Sequence, residues 1–179
     1  MTDSRFGWVL ALCVLLGAGC ASTPYDRLVP PTQVDQRKQA TQSVSVSRVT
    51  RSYESNPLLE STVPKVSPET FHDALIETLR RSQLFGAVTS ASDATYRLSA
   101  DIVAEKLTGA VDNTLTLLIR YELERGGGPV WSENILSQAE LSAAEVFVGA
   151  ERHRRLQITA FRDNLAALLE RLSNAIAGD

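Results

Sequence analysis

The sequence is short of the side chains that do chemistry. Its 179 residues include 2 cysteines, 2 histidines and 1 methionine, and aromatic residues make up only 6%. With so few histidines and cysteines, a metal site would lack convergent ligands. His72 and His153 each lie near charged residues and are read as solvated or helix-packing side chains. The sequence also lacks a G-x-S-x-G elbow, a P-loop, a G-x-G-x-x-G run after a strand and an H-E-x-x-H pair. No nucleophile with its base can be named, so an enzyme is not expected and no cofactor is called for. An excess of one charge sign is missing too. The 18 basic and 21 acidic residues leave a net charge of −3, without the basic surface that nucleic acid requires. No apolar run reaches the roughly 20 residues that cross a bilayer core as a helix. The N-terminal run from Phe6 to Ala18 stops well short of that length.

That short run is the first feature actually present. A polar start, in which Asp3 offsets Arg5, leads into Phe6–Ala18, the form of a secretory signal over residues 1–19. Leu16, Gly17, Ala18 and Gly19 ahead of Cys20 resemble the lipobox of bacterial lipoproteins, with Gly17 departing from the commoner leucine. The resemblance implies cleavage before Cys20, a thioether-linked lipid on its sulfur and an acylated amine. Cys13 lies in the removed segment, so Cys20 is left alone, with no disulfide to form. One acyl chain holds a membrane only marginally, at about 10⁴ M⁻¹, whereas several hold it firmly. Ala21 and Ser22 stand where an aspartate would signal retention at the inner membrane. By the sorting rule of the lipoproteins this chain resembles, their presence implies the outer membrane, with the body facing the periplasm and the periplasmic face of the inner membrane as the alternative. Residues 21–43 contain Pro24, Pro30, Pro31 and many polar side chains, so 20–43 is read as the lipidated cysteine and a flexible tether. Its reach would be about 75–80 Å extended or about 25–30 Å as a coil.

Residues 44–179 suit one domain with a proper core. β-branched residues over Val44–Tyr53 predict a strand, with a bulge near Arg48 where the alternation changes parity. Ser67-Pro68-Glu69 predicts a helix start, with Phe71, Ala74, Leu75, Ile76 and Leu79 buried and Gly86 just past its end. Two stretches then alternate strictly. Tyr96, Leu98, Ala100, Ile102 and Ala104 face inward, with Arg97, Ser99, Asp101 and Glu105 outward. In the next strand Leu115, Leu117, Ile119, Tyr121 and Leu123 face inward. Gly126-Gly127-Gly128-Pro129 forces a turn into a return strand near Val130–Ala139. A long helix over 147–177 carries a stripe through Phe161, Leu165, Leu168, Leu169 and Leu172. The order β-α-β-β-β-α predicts an α+β two-layer sandwich, with a mainly antiparallel sheet and two helices on one face. The other face is left open. On it, Arg97, Val103, Leu118 and Arg120 are the candidate partner-binding residues, beside Leu136. The carboxylates Asp101, Glu105, Glu122 and Glu133 alternate with arginines and threonines and are read as a solvated face. In Glu151–Arg155, “ERHRR”, Glu151 and Arg155 are expected to pair four apart on a wet helix face; contact with lipid phosphates or an acidic partner is the other reading.

“ALIETLRRSQLFGAV” (Ala74–Val88), “ATYRLSADIVAEK” (Ala94–Lys106), “IRYELERGGGPVWSE” (Ile119–Glu133) and “AFRDNLAALLERL” in the last helix carry a further likeness. Together with the lipobox they resemble ABC-type transport auxiliary lipoproteins of the PqiC type. The lipopolysaccharide-assembly lipoprotein LptE is a more distant likeness by element order. The resemblance covers most of the mature chain by pattern, without an invariant signature, so no binding residue is carried across. It implies a non-enzymatic member of an envelope protein complex that moves lipid or another amphiphile between membranes. A structural or regulatory lipoprotein that activates a cell-wall enzyme is the alternative.

Overall fold

The computed structural model describes residues 24–31, 39–53, 65–109, 112–142, 144, 146 and 148–177. The expected signal segment and Cys20 lie outside these. A single 3-10 turn, Tyr25–Arg27, precedes β1 (Ala40–Val46) and the two-residue β2 (Thr50–Arg51). Then come α1 (Pro68–Ser82), β3 (Phe85–Thr89), β4 (Tyr96–Thr108), β5 (Asn113–Arg125), β6 (Gly128–Leu141) and α2 (Gly149–Ile176). The α+β class stands, and the sheet is mixed. Its order is β3-β1-β4-β5-β6, with β2 also on β4. β1 runs parallel to β3 and β4, and β2 runs parallel to β4, whereas β4, β5 and β6 are antiparallel.

Two features explain why the sheet has more strands, and more parallel pairing, than the mainly antiparallel sheet expected. β3 is only five residues long and contains Gly86, too brief for an alternation to register. Gly86 does not stop α1. The helix ends at Ser82, with Gln83 in the left-handed region (φ 54°). Gly86 instead lets β3 close on β1, because a Cβ there would lie 2.3 Å from the Thr41 carbonyl oxygen. The second feature is register. β3 ends level with Ser45 of β1, and β4 begins level with Val44 on the other side of β1. The link over 90–95 therefore only has to step across β1, and no return along the sheet is needed between these parallel strands.

Ser67 caps α1 as expected, its hydroxyl accepting from the Thr70 amide at 3.1 Å, with Pro68 in the first turn. Gly126 and Gly127 take positive φ (60° and 85°), the handedness a two-residue hairpin needs to match strand twist. Both helices lie on one face of the sheet, where the core forms. Phe71 of α1 and Phe161 of α2 meet with ring centroids 5.1 Å apart, both fully buried with Leu75, Leu79, Leu165 and Leu168. Each such side chain contributes about 1.5–3 kcal/mol of transfer free energy.

The domain begins earlier than position 44. Leu28 and Val29 are buried within the same core, and Ala40 opens β1. The Arg162 guanidinium of α2 donates to the Arg27 carbonyl at 2.7 Å. Residues 24–31 are thus packed on the domain, and the tether expected over 21–43 is cut short. An isolated Leu-Val pair between charged residues and prolines has no period to reveal it. From Cys20 to Tyr25 the chain spans at most about 17 Å, so the long reach inferred from composition does not hold.

Candidate functional site

The sheet face opposite the helices has no element over it among the described residues. Strand register assembles it row by row. Ala104, Leu118 and Leu136 lie side by side across β4, β5 and β6, and Asp101, Arg120 and Asn134 form the next inner row. Beyond it run Ser99, Glu122 and Ser132, with Arg97 opposite Glu124 near the sheet's end. Of the predicted quartet, Val103, Leu118 and Arg120 come together, and Arg97 stands apart. Arg97 instead borders a shallow depression of about 190 Å³, with Thr95, Glu124 and Gly127 on its rim. Leu136, 59% exposed, is the focus of the apolar row. Around it the face is polar and largely self-satisfied. The Arg120 Nε donates to Asn134 Oδ1 at 3.2 Å, and Gln138 donates to Thr116 at 3.3 Å. Asp101 accepts from Thr50 Oγ1 at 2.8 Å and from Ser52, which ties β2 to β4.

A second cluster lies on the helix side, where the alternation predicts none. The β4–β5 register shifts between Ile102 and Ala104, a bulge at Val103. One extra residue reverses parity, so Glu105 now sits opposite Leu117 and turns inward. Its side chain is 4% exposed. Tyr53 donates its hydroxyl to one carboxylate oxygen at 2.9 Å, Gln157 of α2 donates its amide to the other at 3.0 Å, and Arg51 stands 4.0 Å away. Arg51 also donates to the Val66 carbonyl at 2.6 Å, and Arg51 and Lys65 lie 5.3 and 5.5 Å from the centre of the Tyr53 ring. His153 is buried nearby and its Nε2 has no hydrogen-bond partner among the described residues. Burial holds its pKa below the usual histidine value; the Glu105 carboxylate opposes this and Lys65 adds to it. The expectation that Glu105 is solvated is therefore overturned. A parity break in β4 was the missing signal, and Val103 gave no compositional mark of it.

The remaining candidates are structural or wet. Glu133 pairs with Arg171 of α2, and Glu151 pairs with Arg155 at 3.0 Å as expected for the charged run. His72 lies 3.5 Å from Asp73 beside a groove of about 410 Å³ between Arg48, Val49 and the start of α1. On the rim of that groove Glu69 has its pKa lowered, first by its own backbone N–H and then by Ser67, with Arg48 and Arg51 adding to the effect. Among the described residues no group of three or more histidine, cysteine or acidic side chains is placed to hold a metal ion. No helix among them is long and apolar enough to cross a membrane.

By its architecture the described part of the chain is an α+β sandwich with a mixed sheet backed, among the described residues, by two helices on one face. Solved structures share that architecture. A Xanthomonas campestris protein of the DUF330 family matches with a TM-score of 0.55 at 15% identity, over 84% of this chain and 91% of its own. A hypothetical protein of Chlamydia trachomatis matches with a TM-score of 0.58 at 12% identity, over 78% of this chain and 100% of its own. A minor lipoprotein of Acinetobacter baumannii matches with a TM-score of 0.51 at 12% identity, over 74% and 93%. At such identities the likeness is one of fold. No family model and no curated protein sequence matches the chain.

Proposed function

We propose that the chain is an exported bacterial lipoprotein, held to the periplasmic face of the outer membrane by lipid on Cys20. It acts as a non-enzymatic binding or assembly component of a cell-envelope transport or maintenance complex. The observation that carries the binding role is the apolar row Ala104–Leu118–Leu136 on a sheet face that no described element covers. The lipobox residues Leu16–Cys20 support the anchor, and a fold shared with a minor lipoprotein is in keeping with it. The partner is a protein subunit of the envelope system, docking on the open face through Val103, Leu118 and Arg120; lipid or another amphiphile is what the assembled complex moves. Because residues 24–31 pack on the domain, the anchor holds the body close to the membrane surface, within about 17 Å of chain.

Affinity purification of the full lipidated chain from envelope membranes tests this reading. A transporter or lipid-transfer subunit should co-purify and be lost in Leu118→Asp. Recovery of a peptidoglycan synthase instead would overturn the transport reading. For the anchor, Cys20→Ser should abolish labelling with radioactive palmitate, and labelling that persists would overturn it.

A further inference from the structure

The two edges of the sheet are built differently. β3, at one edge, is five residues long, the short type of strand that resists pairing. β6, at the other, runs 14 residues, and no strand pairs with its outer side among the described residues. From Val130 to Leu141 it contains no lysine, arginine or proline, the residues that usually blunt an edge. Its only charges are Glu133, already paired with Arg171, and Glu140. Near its middle stands Leu136, exposed on the open face.

We propose that β6 pairs antiparallel with β6 of a second copy of this chain, about a twofold axis at Leu136. A twofold axis normal to the sheet keeps open face next to open face, so the opposed residues can be read from the sequence. Leu136 meets its own copy. Asn134 then meets Gln138, Ser132 meets Glu140, Glu133 meets Ala139 and Trp131 meets Leu141 of the second copy. Every carboxylate lies opposite a neutral residue. Centring on Glu133 or Glu140 would oppose like charges, which destabilises a strand pair. Centring on Gln138 would set Leu136 against Glu140. The Leu136 register also continues the apolar row without a break, as Ala104–Leu118–Leu136 followed by the same three residues in reverse. The pairing does not depend on the proposed transport role, since it uses the strand edge and can form with or without an envelope partner.

The test is a disulfide scan in the full chain. Antiparallel neighbours have Cα atoms about 4.5–5.5 Å apart, within the range a disulfide bridges. On mild oxidation Leu136→Cys should give a band of twice the chain mass that reductant reverses, above the level seen in the parent. Co-expressed Asn134→Cys and Gln138→Cys chains should link to each other. Arg120→Cys, on the same face but one strand further in, should not link above background. Equal linking by Arg120→Cys, no linking by Leu136→Cys, or a Leu136→Cys adduct with a different protein would each overturn the proposal. As a measurement free of cysteine chemistry, the detergent-solubilised parent should sediment as a dimer and Leu136→Glu as a monomer. A monomeric parent would overturn it as well.

Discussion

Glu105 and His153 bring two ionisable groups into the space between β4 and α2, and each is held by a specific set of neighbours. Glu105 is satisfied by Tyr53 and Gln157, with Arg51 near. His153 is held neutral by burial, with its pKa below the ordinary value of 6.5. A depressed histidine pKa means that the unfolded chain takes up the proton first. The stabilisation is then complete above about pH 6.5 and is lost as pH falls towards the folded-state value. The urea midpoint of the wild type should therefore drop between about pH 7.5 and pH 5, and His153→Gln should flatten that part of the profile. A wild-type slope unchanged by the substitution would assign the effect to other groups. A second buried network concerns Asn164. It accepts from the Tyr121 hydroxyl at 2.8 Å and donates to the Ile135 carbonyl at 2.9 Å and to Ser137 at 3.2 Å. Burial raises the Tyr121 pKa well above its ordinary value, so the phenol stays a donor at all relevant pH. Asn164→Leu strands that donor and should cost about 2–4 kcal/mol in chemical denaturation. Adding Tyr121→Phe should recover part of the loss, the signature of a coupled pair.

At the scale of elements, backbone approach decides more than side-chain pattern does. β3 can pair with β1 only because position 86 has no Cβ. Gly86→Ala should force the two strands apart and lower stability by about 1–3 kcal/mol. Hydrogen exchange should report it in β3 first, leaving the β5–β6 hairpin protected; uniform deprotection would mean that the edge is not an independent unit. The bulge at Val103 works in the same way on β4. Strict alternation placed Glu105 and Ala104 correctly only if no residue was inserted, and one residue was. The helix start at Ser67, the hairpin at Gly126–Gly127, the buried face of β5 and most of that of α1 were legible; Ile76, expected to be buried, is half-buried, and Thr78 and Ser82 are buried in α1 instead. Each legible feature depends on neighbours within a few positions, so local chemistry suffices. β3 was invisible for the opposite reason: its short run acquires meaning only from a partner more than 40 residues away.

For the molecule as a whole, the consequential change is where the domain starts. Leu28 and Val29 bury side chains in the common core, and Arg162 holds the Arg27 carbonyl. Trypsin should cut slowly after Arg27 in the folded chain. Leu28→Ser should accelerate that cut severalfold and destabilise the domain by about 2–4 kcal/mol. Rapid cleavage of the wild type at this bond would restore the long tether. With the segment docked, the lipid anchor proposed on Cys20 would hold the body close to the membrane, and the partner proposed for the open sheet face would have to meet it there.

The amino-acid order alone determined the α+β class, the capped start of α1, the glycine hairpin and the place of Cys20 behind an apolar run. All are read from residues adjacent in the chain or spaced by one helical or strand period. It also placed Leu118 and Arg120 on the sheet face that no described element covers. Tertiary structure alone decided the parallel pairing of β1, the inward turn of Glu105 and the burial of Leu28. It also gathered Ala104, Leu118 and Leu136 into one row. These depend on register, and register is set by which distant strands pack together. A single inserted residue reverses which way the later side chains of its strand point, and a missing Cβ decides whether two backbones can close; neither leaves a periodic trace in the sequence.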